Sequence, residues 1–268
     1  MKNCISIFLL SIYLTGCFTI YKPNAVQSPM LKEKGDLTIS GSVGLVSTGF
    51  MNVQTSYAVD KHIGIMANGM LHSRKDTRDS LKDFLNIYST EMAIGYFDKP
   101  ESNDNVQYHC YLGGGIGNSK HLLTGTMDKS PNVTSRYYNY FVQPGVTFFG
   151  KGVDVGLDLK ANYVKLKYFN SDIFKRYNLW PDEWMSHDTA LSFMNVEPAV
   201  TVRLGNDRFK GIAQLGFTIP ALNSQNYFSV NTQSSFYVTL IKFSVGVGYN
   251  LNVSSAQKNK SKSKKPTI

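Results

Sequence analysis

Residues 153–163 read VDVGLDLKANY, and this stretch decides the fold class. Its odd-numbered positions are all apolar or aromatic, whereas its even-numbered positions are Asp, Gly, Asp, Lys and Asn. Alternation with a period of two puts the two kinds of side chain on opposite faces of a β-strand. Ordinary globular strands peak near five or six residues, whereas a tilted strand needs roughly nine to eleven residues to cross a bilayer. The stretch therefore predicts a strand of membrane-crossing length.

The same alternation recurs along the chain. With 153–163 it gives ten predicted strands, of which the others are 37–47, 50–60, 62–73, 86–97, 106–118, 135–149, 190–204, 209–219 and 241–251. After a short first connection, tight and longer connections alternate, and the tight ones carry turn residues such as Gly, Asn and Asp. Tight turns on one rim and long loops on the other are typical of transmembrane β-barrels. An even number of strands also returns both ends of the barrel to the same rim.

The composition limits the class of protein. The 268 residues carry a formal charge of +9, yet only 18% of them are charged, which is below the roughly 25% of soluble domains. A mean hydropathy of −0.20 argues against a polytopic helical membrane protein, which needs several apolar runs of roughly 20 residues. A β-rich globular or barrel protein remains.

The amino terminus has the pattern of an export signal. Lys2 precedes an apolar run too short to span a bilayer, and the run ends in Leu-Thr-Gly-Cys at 14–17. This stretch resembles the lipobox of bacterial lipoproteins. The resemblance implies that residues 1–16 are a removable signal peptide and that Cys17 is acylated, followed by a tether to residue 36 (17–36). The alternative is an ordinary signal peptide, or a buried strand with a chance cysteine.

The carboxyl terminus is a lysine-rich tail. Residues 253–268 contain five lysines and no acidic residue, so much of the positive charge is an end effect. The tail is predicted to be disordered, and the alternative is electrostatic contact with anionic lipid or other envelope polyanions. Nucleic acid is not an expected partner of an exported protein.

The pattern of 37–251 resembles the outer-membrane β-barrel domain of Gram-negative bacteria, in a lipid-anchored version. The resemblance implies an all-β, antiparallel up-and-down transmembrane barrel over 37–252, with about ten strands, although eight to twelve fit the pattern. It further implies a monomer located in the cell outer membrane and held there by a lipid anchor. Two features depart from the pattern. Pro144 and Pro198 fall in predicted strands and should lie at bulges or edges, and the chain does not end in an aromatic residue.

Alternation alone does not say which face meets lipid. In a narrow membrane barrel polar side chains fill the interior, whereas in a soluble, lipocalin-like barrel the apolar face lines a cavity. The low charged fraction and the tyrosines on the apolar face favour the membrane arrangement. Charges of both signs are then expected inside the barrel, where they neutralise one another: Glu91, Asp154, Asp158, Lys160, Glu197, Arg203 and Lys242.

No catalytic, cofactor or metal motif is recognisable in the sequence. None of the five histidines has metal-ligand spacing, and no nucleophile motif accompanies His72 and His109 on the polar face. The glycine-rich stretch 113–117 does not lead into a helix, so it is interpreted as room for bulky neighbours and not as a nucleotide-binding loop. Cys110 has no partner cysteine and is interpreted as an apolar side chain on a strand.

Four long loops are predicted on the rim opposite the tight turns, at 74–85, 119–134, 170–187 and 220–233. The third contains both tryptophans of the chain beside two carboxylates, at Trp180, Asp182, Glu183 and Trp184. Aromatic and acidic side chains on a rim could stack on a sugar or bind a partner. The alternative is that the indoles pack onto the barrel end or onto interfacial lipid.

Together these features predict a lipid-anchored outer-membrane β-barrel with a structural or surface-interaction role, no enzymatic activity and no cofactor, whose principal partner is outer-membrane lipid. One alternative is a periplasmic, lipid-tethered soluble barrel that binds an apolar ligand. Another is a barrel hydrolase that acts on envelope lipid. The membrane barrel and the soluble barrel differ in whether Val155, Leu157 and Leu159 point away from the barrel axis or toward it.

Overall fold

The chain forms thirteen β-strands in the residues that the structure, a computed structural model, describes: 18–45, 49–78, 81–124, 132–171, 192–221, 236–238 and 241–252. The strands are Phe18–Tyr21 (β1), Asp36–Gly44 (β2), Phe50–Ala58 (β3), Ile63–Arg78 (β4), Leu81–Asp98 (β5), Val106–Thr124 (β6), Asn132–Phe149 (β7), Val153–Ser171 (β8), Ser192–Gly205 (β9), Phe209–Phe217 (β10), Ile219–Pro220 (β11), Phe236–Val238 (β12) and Ile241–Asn252 (β13). Within these ranges no helix is long and apolar enough to cross a membrane.

Ten of the strands close into one antiparallel barrel. From β2 to β10 each strand pairs with the next one in sequence, and β13 then pairs with both β10 and β2. All ten predicted segments correspond to a barrel strand. The predicted fold class, an all-β up-and-down barrel of about ten strands, is confirmed.

The barrel has two different rims. Asn252 pairs with Asp36, so both ends of the barrel sequence lie on one rim, together with the short turns 59–62, 99–105, 150–152 and 206–208. We call this the tight-turn rim and the opposite one the long-loop rim. The strands β4 to β8 extend over 16 to 19 residues toward the long-loop rim.

These extensions shorten two of the predicted loops. Most of 74–85 is strand, because Arg74 still pairs with Leu85 and Arg78 pairs with Leu81. Much of 119–134 is strand as well, since β6 continues to Thr124. The alternation of apolar and polar residues weakens in both stretches, so the strand ends predicted from it came too early. Most of 170–187 and of 220–233, and the whole of 253–268, lie outside the described residues.

Polar side chains point into the barrel and apolar side chains point out. On β8, Asp158 is 5% exposed, whereas its neighbours Leu157 and Leu159 are 41% and 45% exposed. Val155, on the same outward face, is half-buried. This is the arrangement expected of a membrane barrel and the reverse of an apolar cup. The apolar belt consists of residues contributed by strands all around the barrel, among them Val53, Ile65, Met92, Ile94, Leu112, Ile116, Val200 and Val247.

The interior is filled by the chain's own amino-terminal segment. Residues 22–31, here called the arm, have no regular secondary structure, and every one of them is buried inside the barrel. These residues belong to the stretch 17–36 that was interpreted as a tether, and in the structure they are packed inside the barrel. The sequence of the arm, KPNAVQSPML, lacks a repeating pattern because an irregular extended chain needs none.

Glycines and prolines of the barrel strands lie where the packing or the strand pairing requires them. A side chain at Gly113 would collide with Phe141, and one at Gly117 would collide with Tyr137, so the interpretation of the glycine-rich stretch is confirmed. Pro144 and Pro198 each pair with one neighbouring strand and lie where pairing with the other neighbouring strand is interrupted. Pairing of β9 with β10 stops at Ala199, next to Pro198, and no β7–β8 pair forms at Pro144.

Candidate functional site: the occupied barrel interior

Three lysine–carboxylate pairs lie inside the barrel. The Lys160 Nζ is 2.6 Å from Glu91 Oε1, and the Lys242 Nζ is 2.9 Å from Glu197 Oε2. The third pair joins Lys210 Nζ to Asp154 Oδ2 at 2.9 Å. All seven predicted interior residues are buried, and each is at most 7% exposed. Lys210 was missed by the sequence analysis, although it occupies a polar position near the start of the 209–219 alternation.

Amides connect two of these pairs into one network. Asn139 Nδ2 donates to Glu91 Oε1 at 2.8 Å and to Asn162 Oδ1 at 3.2 Å. Asn162 Nδ2 in turn donates to Glu197 Oε1 at 3.3 Å and to the Tyr21 hydroxyl at 2.7 Å. The network thus runs from β5 across β7 and β8 to β9. It satisfies buried charges that would otherwise be costly in a water-poor interior.

The two candidate catalytic histidines lie in separate contacts. His109 Nε2 is 2.8 Å from Asp158 Oδ1, and His72 Nδ1 is 3.3 Å from Lys22 Nζ of the arm. A hydrolase triad would need a histidine between a carboxylate and a serine hydroxyl. Within the described residues, His72 contacts Lys22, His109 contacts Asp158, and neither histidine is hydrogen-bonded to a serine.

The arm is held mainly through its backbone. Gln143 donates to the carbonyl of Gln27 at 2.6 Å, and Gln214 donates to that of Val26 at 2.5 Å. Further donors to arm carbonyls come from five other strands: Ser56 to Pro29, Asn68 to Ala25, Gln107 to Leu31, Arg203 to Ser28 and Lys242 to Asn24. An irregular buried backbone requires such partners for its polar groups.

These donors are the signal that could have revealed the arm. Several strands carry long amides on the inward face, such as Gln107, Gln143 and Gln214. Their side-chain amides donate hydrogen bonds to backbone carbonyls of the arm. A lumen closed only by ion pairs would not need them.

A cavity of about 620 Å³ opens at the tight-turn rim below the arm. Buried side chains at its inner end are Met30, Asp154 and Arg203, and charged residues such as Lys32 and Arg208 stand at its mouth. Among the described residues, Asp154 Oδ1 and Arg203 Nε find no hydrogen-bond partner. The cavity can therefore hold water or small polar solutes at the rim.

The remaining candidate sites lie elsewhere. Cys110 is exposed on the outer wall of β6. Cys17 and the loop residues Trp180, Asp182, Glu183 and Trp184 lie outside the described residues. Among the described residues, no cluster of three or more His, Cys, Asp or Glu side chains could hold a metal ion.

No protein-family model matches the chain, and no curated protein matches it either. Its fold is similar to that of a major outer membrane protein from Thermus thermophilus, with a TM-score of 0.41 and 9% identity over 81% of this chain and 99% of that one. It is also similar to the translocator domain of the autotransporter NalP from Neisseria meningitidis, with a TM-score of 0.42 and 11% identity over 80% and 86%. Both likenesses concern overall shape.

Proposed function

We propose that this chain is an integral outer-membrane β-barrel with a structural or surface-interaction role, whose interior is occupied by its own arm. The observation that carries the proposal is the outward apolar belt around an interior of buried ion pairs. In water this belt would expose a very large apolar surface, whereas soluble monomers rarely expose patches above a few hundred Å². In a bilayer the same belt is matched to hydrocarbon.

Aromatic side chains border the belt at two levels. On β5, Tyr88 and Tyr96 are 53% and 54% exposed, and the strongly exposed Met92 lies midway between them. Their spacing along the strand is about 26 Å, which strand tilt reduces to about 20 Å along the axis. Transmembrane barrels have an apolar band about 25 Å tall between two aromatic girdles. The exterior therefore supports a bilayer-spanning position.

The soluble-barrel alternative does not fit this interior. A barrel that binds an apolar ligand needs an apolar cavity inside. Here the arm and the side chains around Glu91, Lys160 and Glu197 fill the middle of the barrel. The apolar side chains that would line such a cavity point outward instead.

The membrane proposal is tested by fractionation of cells that produce the full-length protein. We expect it to stay with the outer membrane after a carbonate wash and to need detergent for release. We also expect unheated protein to migrate differently from boiled protein in SDS gels, because a closed barrel resists SDS until heated. Release by carbonate without detergent, together with a single mobility, would contradict membrane residence.

We also propose that the barrel is not a lipid hydrolase, because the contacts of His72 and His109 do not assemble a triad. Purified folded protein is expected to release no more fatty acid from labelled phospholipid than a His72→Ala/His109→Ala variant does. The heat-dependent mobility shift verifies that the variant is folded. A folded variant that has lost a turnover present in the parent protein would revive the hydrolase hypothesis.

The finer features of the proposal rest on sequence. The lipobox supports acylation of Cys17, and the lysine-rich tail supports contact with envelope polyanions. Both regions lie outside the described residues. Closure of the barrel within one chain is compatible with a monomer.

A further inference from the structure

The arm enters the barrel at the tight-turn rim. Just before β2, the Lys32 and Glu33 amides donate to Asp36 Oδ2 at 2.8 and 3.0 Å and hold the chain against the rim. Gln107, the second residue of β6, donates to the Leu31 carbonyl. Both β2 and β6 begin on this rim, so the carboxyl-terminal end of the arm is fixed there.

The arm then runs along the barrel axis without turning back. On β4, which runs away from the tight-turn rim, Asn68 contacts Ala25 and the more distant His72 contacts Lys22. On β9, which runs toward that rim, Phe193 contacts Tyr21 and Arg203 contacts Ser28. On both strands, the contacts of residues earlier in the amino-terminal segment lie farther from the tight-turn rim.

The chain reaches the other end of the barrel at β1. Tyr21 packs edge-on against Tyr137 and Phe193, near the starts of strands that begin at the long-loop rim. Residues Phe18–Tyr21 pair in parallel with Phe236–Val238, which end three positions before β13 begins at Ile241 on that rim. From residue 18 to residue 31 an extended chain covers up to about 46 Å, which exceeds the roughly 30 Å hydrocarbon core of a bilayer.

We propose that the amino-terminal segment crosses the entire barrel and presents the polypeptide before Phe18, including Cys17, at the long-loop rim. This inference rests on the proposed membrane residence. With the tight turns on the periplasmic side, the long-loop rim faces outward, so an acyl group on Cys17 would enter the outer leaflet of the membrane.

A basic outer surface near this rim suits such a position. Lys120, Arg136 and Lys167 are exposed on the outer wall of β6, β7 and β8, on the long-loop side of Tyr138, and the exposed Lys165 is the cross-strand partner of Tyr138. The Lys167 Nζ also lies 5.6 Å from the centre of that ring. Cations just beyond an aromatic girdle match anionic lipid head groups.

The side of the membrane is tested with one epitope placed at two positions in otherwise full-length protein. Inserted between Cys17 and Phe18, the epitope should bind antibody on intact cells. Inserted in the turn 150–152, it should bind antibody only after the outer membrane is permeabilised. Epitopes that become accessible together would overturn the crossing, and a reversed pattern would overturn the outward assignment.

The crossing itself is tested by a disulfide, independently of the membrane. The side chains of Asn24 and Ser89 contact each other inside the barrel, whereas the neighbouring Thr90 is exposed outside. In a Cys110→Ala background, oxidation of purified Asn24→Cys/Ser89→Cys protein should shift most of the denatured chain to faster mobility without reductant. Asn24→Cys/Thr90→Cys is the matched control and should not shift. Equal behaviour of the two pairs would overturn the threading, whatever the fractionation experiment shows.

Discussion

Replacing Glu197 with alanine should lower the free energy of unfolding by about 3–5 kcal/mol, the cost of breaking a buried ion pair by removing one partner. Glu197 is fully buried, and it accepts hydrogen bonds from Lys242 at 2.9 Å and from Asn162 at 3.3 Å. Without it, the Asn24 carbonyl at 3.1 Å is the one hydrogen-bond acceptor that the described residues still offer the Lys242 ammonium. The buried cation has then lost the carboxylate with which it is paired.

The measurement is urea-induced unfolding of protein folded into lipid vesicles, followed by tryptophan fluorescence. The matched control is Glu197→Met/Lys242→Met, which removes both charges and keeps the volume. Because a buried ion pair can often be replaced by apolar residues with little loss, the double variant should recover most of the stability. A double variant as unstable as Glu197→Ala would show that the lost Asn162 contact, and not the unpaired charge, determines the loss.

The barrel could be predicted from the sequence because its information is local. Each residue of 153–163 faces outward or into the interior according to its parity, and the same rule applies to the other barrel strands. The inward position of charges such as Asp158 follows from that rule as soon as the outer face is assigned. The ends of the strands were harder, because beyond the apolar belt neither face of β4 or β5 needs to be apolar.

The arm could not be predicted because its contacts are long-range. The Val26 carbonyl is bonded by Gln214, which is 188 positions away in the sequence, and the Asn24 carbonyl by Lys242, which is 218 positions away. A segment with two prolines and no periodicity normally indicates a linker. What distinguishes it from a linker is the set of side-chain donors on several strands that bond to its carbonyls. These donors come close to one another only when the barrel closes.

The arm also explains how the interior can be both polar and filled. A ten-stranded barrel is wider than the eight-stranded barrels whose side chains fill the interior. The arm occupies the remaining space, and the glycines of the wall make room for it. A side chain at Gly156 would collide with Ser28 and Met30, and one at Gly64 would approach Leu31 to 2.9 Å. Wall and arm are therefore shaped to each other.

Replacing Met92 with arginine should lower the free energy of unfolding from a bilayer by about 2–4 kcal/mol, the cost of arginine on the lipid face near the midplane. Met92 is 72% exposed on β5, midway between the two tyrosines that border the belt. If the barrel spans a bilayer, the guanidinium at this position must displace hydrocarbon contacts or draw water into the membrane. The matched control is Val59→Arg, at an exposed position in a turn of the tight-turn rim, where the cost should be about 0–1 kcal/mol.

Both variants are compared by urea titration in the same vesicles. In detergent micelles, which deform easily around a charge, the difference between them should shrink. The comparison separates depth in a bilayer from the general cost of placing arginine at an exposed position, because both side chains are open to solvent when the lipid is removed. Equal costs at Met92 and Val59 would mean that the apolar belt does not lie in hydrocarbon, and the side of the membrane assigned to the arm would lose its basis. A cost confined to Met92 would support a position of the middle of the belt in hydrocarbon, which is the premise of the side assigned to the amino-terminal segment.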